Sequence, residues 1–205
     1  MRIESTIPGS SIELIPNEAP GATASLAIAP AHAVAVAMLL RDAPDLRFDF
    51  ASNVTGIDWM DRTDKAKAKV RRLVEGVETE VEEVTEVRRP GFLEAVYHLY
   101  SMALKHGPVV IRMRTRNRSD GAVLPSLTPV WRSCEFQERE IFDLYGVRFE
   151  GHPDLRRILM WEGFQHHPMR KDYVEPDDYE YEPTPHDEVL AKAKASRAST
   201  PGGVN

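Results

Sequence analysis

Apolar and polar positions change their spacing several times along the chain, and each change marks a predicted element. Residues 31–42 are almost continuously apolar up to Arg41. Pro30 suits the first position of a helix and Pro44 ends the pattern, so this segment predicts a helix. Residues 46–59 show partial alternation of apolar and polar side chains, which is typical of a strand.

Two later segments, 92–102 and 108–116, predict a pair of antiparallel strands because only the short sequence ALKHG lies between them. In the second strand Arg112, Arg114 and Arg116 occupy alternate positions, so all three share one face. This pattern leaves two interpretations open. The arginines either line a solvated face of the sheet or face an acidic partner.

The clearest helical pattern covers residues 134–145 and ends before Gly146, a residue suited to a helix C-terminus. At 100° per residue one arc of this helix is apolar and contains Cys134, Ile141, Phe142, Leu144 and Tyr145. Glu138 falls inside that arc. A carboxylate on a buried face must be paired, or its pKa rises, and the loop that follows offers Arg148, Arg156 and Arg157 as partners.

The opposite side of this helix carries Arg139, Glu140 and Asp143, together with Phe136. Arg139 is four residues away from both Glu135 and Asp143, a spacing at which opposite charges attract each other on a helix surface. These charges can therefore pair with one another along this side of the helix.

The segment 61–89 is unusually charged, with a basic block at 65–72 followed by an acidic block at 75–86. Its valines fit the spacing of a helix, but Val77, Thr79 and Val81 also alternate as in a strand. The pattern does not decide between the two. We interpret the segment as a charged insertion with a solvated face.

Composition narrows the possible functions. The chain has 205 residues, a net charge of −6 and a single cysteine, Cys134. The acidic balance argues against nucleic acid as the main partner, and one cysteine excludes an internal disulfide or a multi-cysteine metal site. The longest apolar run, residues 26–40, is too short to span a membrane. It also lacks the features of a signal peptide.

These patterns predict an α+β fold in which helices 31–42 and 134–145 pack on a mixed or antiparallel sheet. The domain is expected to cover residues 30–172, preceded by a loose N-terminal arm at 1–29 that is rich in Pro, Gly, Ala and Ser. Residues 173–205 predict an extended tail that binds a partner and has a disordered end. Its expected anchors are Tyr173, Tyr179 and Tyr181.

A catalytic role is the more distant hypothesis. Glu138 and His152 could act as general acid and base in a free-standing hydrolase. The chain, however, contains no glycine-rich phosphate loop, no G-x-S-x-G sequence and no H-E-x-x-H pair. His166 and His167 are adjacent and point apart on a regular element, and Cys134 fits a small core residue better than a nucleophile.

The sequence EREIFDLYGVRFEGHPDLRRIL, residues 138–159, resembles the signature of the C-type subunit of the proton-translocating NADH:quinone oxidoreductase, respiratory complex I. Flanking sequences EAVYHLYS, LPSLTPVW and HPMRKDY are also similar, and the resemblance covers about residues 30–60 and 90–175. The arm and the charged segment remain unassigned. The residues that match the signature are Glu138, Arg139, Glu140, Asp143, Leu144, Tyr145, His152, Arg156, Ile158 and Leu159.

The resemblance implies a structural subunit that has no catalytic, cofactor-binding or metal-binding residues of its own. A protein of this kind docks on the D-type subunit, which holds the quinone site, near iron–sulfur subunits, in a hetero-oligomer on the cytoplasmic side of the cell membrane. Flavin and iron–sulfur clusters belong to partner subunits, which pass electrons from NADH to quinone and couple this to proton translocation. The signature residues would then serve assembly. An equivalent subunit of a related hydrogenase-type or photosynthetic membrane complex is the alternative.

Overall fold

The structure, a computed structural model, describes residues 2–17, 19, 23–74, 77–119 and 121–174, with the backbone alone over 66–74 and 77–84. The chain divides into two compact units, 1–171 and 172–205. The predicted tail anchors Tyr179 and Tyr181 lie outside the described residues. The elements, in chain order, are α1 (Arg2–Thr6), β1 (Ile12–Ile15), β2 (Ser25–Ile28), a 3-10 turn (Pro30–His32), α2 (Ala33–Asp42), β3 (Phe50–Trp59), β4 (Arg62–Val74), β5 (Val77–Arg89), β6 (Phe92–Ser101), β7 (His106–Arg114), β8 (Val123–Pro125), α3 (Cys134–Tyr145) and β9 (Arg148–Glu150).

The first unit is built on a five-stranded sheet with the strand order β1-β2-β7-β6-β3. Strands β2 and β7 are parallel, whereas the other neighbouring strands are antiparallel, so the sheet is mixed. The short strands β8 and β9 form a separate parallel pair. The predicted α+β fold, with a mixed sheet and helices α2 and α3 packed on it, is confirmed.

The core lies between the helices and one face of the sheet. Alternate residues of β6 supply Leu93, Ala95, Tyr97 and Leu99, all fully buried. They join Ile111 and Met113 of β7, Val36 and Leu40 of α2, and Cys134 and Ile141 of α3 in one hydrophobic cluster. The period of two in the strands and of 3.6 in the helices brings these side chains to a common layer.

The expectation of a loose N-terminal arm is wrong for the described part of residues 1–29. Strand β2 extends the sheet by pairing with β7, and β1 pairs with β2. Ile3 of α1 and Ile28 of β2 are buried in the core cluster. The sheet edge of β7 supplies the hydrogen-bonding partners of this short segment, and composition cannot reveal such a long-range pairing.

The charged segment forms a hairpin, which settles the choice between helix and strand. Strands β4 and β5 pair over their full length, from Arg62 opposite Arg89 to Val74 opposite Val77. Lys65 lies opposite Glu86, and their side chains form an exposed ion pair of 3.8 Å. Alternation rather than helical spacing was therefore the relevant signal. That the segment is an insertion stays a prediction.

We predict that the hairpin can be shortened without unfolding the sheet, since β4 and β5 pair with each other and not with the central strands. Replacing residues 65–86 with an Asn-Gly turn should change the free energy of unfolding by less than about 1 kcal/mol, because loop length alters closure entropy only slowly. Thermal unfolding followed by circular dichroism checks this. Ile111→Ala, a core control, should cost about 2–5 kcal/mol. Loss of cooperative unfolding in the shortened variant would show that the hairpin is part of the core.

Candidate functional site

Helix α3 carries the first part of the signature and has the predicted bounds, Cys134–Tyr145. Gly146 ends it in the left-handed conformation, with φ of 78°, and a Cβ there would lie 2.5 Å from Nε2 of His167. On the sheet side, a Cβ on Gly56 of β3 would lie 2.6 Å from the ring of Tyr145. Two glycines therefore permit the close packing of α3 between the sheet and the chain that follows it.

Glu138 is fully buried, as its place in the apolar arc predicts. Its Oε1 accepts hydrogen bonds from the hydroxyl of Tyr97 (3.0 Å) and the backbone N–H of Leu127 (2.8 Å). Its Oε2 accepts from the hydroxyls of Ser126 (2.5 Å) and Thr128 (3.0 Å). Four uncharged donors thus surround one carboxylate, which joins α3 to strand β6 and to the loop 126–128.

The expected partners of Glu138 were the arginines of the following loop, and this part of the prediction is wrong. Arg157 binds Asp143 instead, and Arg156 forms an exposed pair with Asp154. Arg148 is exposed. Glu138 faces the sheet, whereas the loop passes over the opposite side of α3, and helical periodicity does not show on which side a following loop runs.

Burial raises the pKa of Glu138 above its usual range, and the four hydrogen bonds offset this only in part. Burial, followed by the nearby charge of Glu138, also raises the pKa of the Cys134 thiol. A thiol with a raised pKa is a poor nucleophile, so the structure supports the interpretation of Cys134 as a core residue.

Asp143, five residues further along α3, is also fully buried. Its carboxylate has different hydrogen-bond donors from that of Glu138. Its Oδ2 accepts the backbone N–H groups of three consecutive residues, Ile158 (3.0 Å), Leu159 (2.7 Å) and Met160 (2.8 Å). Its Oδ1 accepts Nη1 of Arg157 at 2.6 Å. Successive amides that converge on one oxygen form an anion-binding concavity in the chain.

Burial alone would raise the pKa of Asp143, but the three amides and the Arg157 guanidinium hold this pKa below its usual range. The direction in which Asp143 makes stability depend on pH follows from proton linkage. Because the carboxyl binds its proton more weakly in the folded state, its stabilisation is fully present above about pH 3.9. It is lost as the pH falls through the lower pKa of the folded state. Asp143 therefore stabilises the fold as an anion, whereas burial disfavours the charge on Glu138.

Arg139 is buried as well, at 5% exposure. Its Nε donates to the carbonyl oxygen of Arg156 (3.1 Å) and its Nη2 to that of Arg157 (3.3 Å). The ion pairs of Arg139 with Glu135 and Asp143, which the helical spacing predicts, do not form, and Arg139 lies 3.6 Å from the carboxylate of Asp154 instead. Residues 152–160 fold back over this side of the helix and supply the partners.

His152 connects the same two segments. Its Nε2 donates to the carbonyl oxygen of Glu135 at 2.9 Å, while its Nδ1 accepts the backbone N–H of Asp154 at 3.0 Å. Both ring nitrogens are thus engaged with backbone groups, and both oxygens of Glu138 are engaged elsewhere. The arrangement gives no support to a hydrolase that uses Glu138 and His152.

Residues 158–169 continue this attachment to α3. The carbonyl oxygen of Leu144 accepts the N–H of Met169 (3.1 Å), and that of Asp143 lies 2.9 Å from Nδ1 of His167. The attached segment nevertheless leaves large apolar side chains in solvent. Leu159, Trp161 and Met169 are 55%, 51% and 54% exposed.

The remaining signature residues fall into two groups. Leu144, Tyr145 and Ile158 are half-buried between α3 and its neighbours. Glu140 is exposed, and within the part of the chain that the structure describes its side chain has no hydrogen bond or ion pair. Phe136 on the same helix is also exposed. Tyr173 is half-buried in the short described part of the second unit.

Asp58 of β3 is a further anchor, and the sequence analysis missed it. Its carboxylate binds the guanidinium of Arg118 through two contacts of 2.6 and 2.7 Å. It also accepts the N–H of Lys171 at 2.8 Å. Alternation offered a signal, because Val54, Gly56 and Asp58 share the inward face of the strand.

The arginines of β7 fit neither interpretation fully, since two of them bind the buried Glu94 of β6. Nη2 of Arg112 lies 2.7 Å and Nε of Arg114 lies 3.0 Å from its carboxylate oxygens. Arg116 is exposed. Glu94 stands opposite Arg114 in the antiparallel register, and a single strand read alone does not reveal this pairing.

The described residues hold no group of three His, Cys, Asp or Glu side chains that could bind a metal ion. None of their helices has the length and apolar character required to cross a membrane.

The fold and the signature define a class of subunit found in respiratory enzyme complexes, and comparisons with known proteins agree. The family described as respiratory-chain NADH dehydrogenase, 30 kDa subunit, matches residues 26–179. The NADH-quinone oxidoreductase C-type subunit numbered 2 of Rhizobium meliloti (strain 1021) is 38% identical over 150 residues, covering 73% of this chain and 65% of that protein. The C-type subunit of the same enzyme from Coxiella burnetii (strain Dugway 5J108-111) is 36% identical over 156 residues, covering 73% and 66%.

This chain belongs to the respiratory-chain NADH dehydrogenase 30 kDa subunit family. The resemblance inferred from residues 138–159 is therefore confirmed. The matches span 65% and 66% of the length of those two relatives. A chain in the structure of the membrane-bound sulfane sulfur reductase, an archaeal respiratory membrane complex, shares the fold with a TM-score of 0.55. It is 16% identical, and the superposition covers 100% of this chain and 92% of that one.

We predict that Asp143→Asn loosens the attachment of residues 158–160 to α3. The amide group cannot accept from three backbone N–H groups and a guanidinium at once, and losing one hydrogen bond to a charged group costs about 1.5–3 kcal/mol. Hydrogen exchange at residues 158–160 should therefore become faster by about tenfold or more. Asp42→Asn, which alters an exposed pair with Arg41 far from this segment, is the matched control. Unchanged exchange in the Asp143 variant would mean that the segment is held by other contacts.

A second prediction separates the charge of Glu138 from its hydrogen bonds. Glu138→Gln keeps the shape and should cost no more than about 1.5 kcal/mol, whereas Glu138→Ala leaves buried donors unsatisfied at about 1–3 kcal/mol each. With its raised pKa, the wild-type carboxyl stabilises most below about pH 4.3, and this stability is lost as the pH rises through the folded pKa. The free energy of unfolding of the wild type should thus fall relative to Glu138→Gln as the pH rises above about 4.3.

Denaturant unfolding at several pH values measures these differences directly. If the Gln and Ala variants were equally unstable, the ionised carboxylate itself would be required for folding.

Proposed function

We propose that this chain is a non-catalytic structural subunit of the peripheral arm of NADH:quinone oxidoreductase, and that it docks on the D-type subunit that holds the quinone site. One observation carries the proposal. The buried polar residues of the signature, Glu138, Arg139 and Asp143, bind other groups of the chain. Asp143 thereby fixes the start of residues 158–169, which expose large apolar side chains, on the surface of α3.

The chemistry of this segment supports a protein partner. Exposed large apolar side chains are typical of interaction sites, and Trp and Met are enriched at interfaces. Leu159 and Met169 are anchored through their own backbone N–H groups. Their positions are therefore fixed before a partner arrives, which lowers the entropic cost of binding.

In the proposed complex, other subunits carry out the redox chemistry. Flavin and iron–sulfur clusters would be held by those partners, and the assembly would move electrons from NADH to quinone with coupled proton translocation. This chain would lie on the cytoplasmic side of the cell membrane and reach it only through the hetero-oligomer. The family match and the names of the relatives support this assignment.

The tail is proposed as a second contact with the D-type subunit or its iron–sulfur neighbours. Residues 173–190 contain Pro176, Pro183 and Pro185, which oppose regular elements. Tyr173, Tyr179 and Tyr181 would act as anchors among acidic residues, since tyrosine offers a large contact area at low entropic cost.

An equivalent subunit in a related hydrogenase-type or photosynthetic complex is the second candidate. The observation that favours this candidate is the chain of the archaeal complex that shares the fold. At 16% identity this likeness shows the fold alone. The same surface would serve in either setting. The subunits that co-purify with the native chain in mild detergent separate the two candidates.

We predict that Leu159→Asp combined with Trp161→Ala lowers the amount of assembled complex at least about tenfold, as expected when hot-spot residues worth about 2 kcal/mol are removed. Turnover per assembled complex should stay unchanged, because no reacting group is altered. Native gel electrophoresis and NADH:quinone activity of the purified complex provide the two measurements.

The control is Met102→Asp, an equally exposed apolar residue in the turn after β6. Equal assembly of all variants would rule out residues 158–169 as the docking surface. Normal assembly with a large fall in turnover would instead indicate a direct part in the reaction.

A further inference from the structure

The second face of the central sheet carries a groove whose lining includes none of residues 158–169. It has a volume of about 320 Å³ and lies where the ends of β3 and β7 meet the base of the β4–β5 hairpin. Its walls combine aromatic rings with cations. The residues that matter here are Trp59, Phe92, Arg62, Arg89, Arg112 and Arg114.

The floor of this groove is preorganised by Glu94, which is fully buried. Besides its two arginine partners, Glu94 accepts a hydrogen bond from Nε1 of Trp59 at 2.9 Å. The guanidinium of Arg114 also lies over the ring of Phe92, 5.3 Å from its centre. One carboxylate thus fixes the orientation of two guanidinium groups and an indole.

In the part of the chain that the structure describes, these arginines have fewer carboxylate partners than there are guanidinium groups. Arg112 and Arg114 share Glu94, and the buried Nε of Arg112 has no acceptor among the described residues. At the hairpin base Arg62 and Arg89 likewise share Asp64, at 3.5 and 2.6 Å.

Four guanidinium groups therefore face three carboxylates, when the exposed Glu13 beside Arg114 is included. The groove is cationic in a chain whose net charge is −6. An excess of one positive charge matches one carboxylate better than a doubly charged phosphate.

We propose that this groove receives an Asp or Glu side chain, flanked by an apolar or aromatic residue, from a neighbouring subunit of the complex. The arginines would bind the carboxylate, and Trp59 and Phe92 would pack against the flanking side chain. Strand β1 is an edge of the sheet next to the groove, so an extended acidic segment can approach there. The inference rests on the proposed function, because it needs a hetero-oligomeric complex.

The test uses the complex purified with the full chain carrying Met60→p-benzoylphenylalanine. Met60 lines the groove and is 42% exposed. After irradiation, mass spectrometry identifies the attached peptide. We expect a segment of another subunit in which Asp or Glu adjoins an apolar residue. Attachment to a lipid, attachment to a segment without acidic residues, or no attachment in the intact complex would each overturn the proposal.

Charge variants give an independent measurement in the same complex. Arg62→Gln with Arg89→Gln should lower the yield of the cross-link at least fivefold. Arg88→Gln is the matched control, because Arg88 neighbours Arg89 but pairs with Asp61 and does not line the groove. Equal yields in the two backgrounds would overturn the role of the arginines. If the unaltered chain co-purified with no oxidoreductase subunits, the proposed function itself would fail, which is a distinct result.

Discussion

The fold of the signature region depends on the cost of burying two carboxylates on one helix. Glu138 and Asp143 lie on nearly opposite sides of α3, and both are inaccessible to solvent. An unpaired buried charge would cost several kcal/mol, so each side chain dictates what packs against its side of the helix. Glu138 accepts hydrogen bonds from hydroxyls and a backbone amide of the sheet and of the loop before α3, while Asp143 accepts them from amides of the chain that follows. The helix is thereby fixed from both sides.

This constraint explains how a sequence with the composition of an active site uses its polar groups within the fold. Catalysis needs polar groups that can reach a substrate, whereas Glu138, Arg139 and Asp143 direct their polar atoms to groups within the chain. What reaches the surface is apolar, namely Leu159, Trp161 and Met169. Charges that are satisfied inside and apolar side chains that are held outside together make a rigid surface suited to a protein partner.

Sequence periodicity predicted the parts of this arrangement that depend on one element at a time. Helix α3, its end at Gly146 and the burial of Glu138 follow from spacing along the chain. The burial of Arg139 and Asp143 does not, because it arises when residues 152–160 fold back over the helix. The strand pairing of residues 25–28 depends on a distant sheet edge in the same way. The spacing of the valines at 70–84 fits both a helix and a strand, and only the pairing of β4 with β5 decides between them.

Buried carboxylates also occur on the sheet, at Asp58 and Glu94, and their surroundings differ. Asp58 meets one guanidinium and one amide, and Asp143 meets one guanidinium and three amides. In both cases charge is balanced and a segment of the chain covers the site. Glu94 instead meets two guanidinium groups, one of which also pairs with the exposed Glu13, and its site is open as a groove. A buried carboxylate that binds backbone amides thus holds a covering segment in place, whereas one that binds only side chains leaves its surroundings accessible.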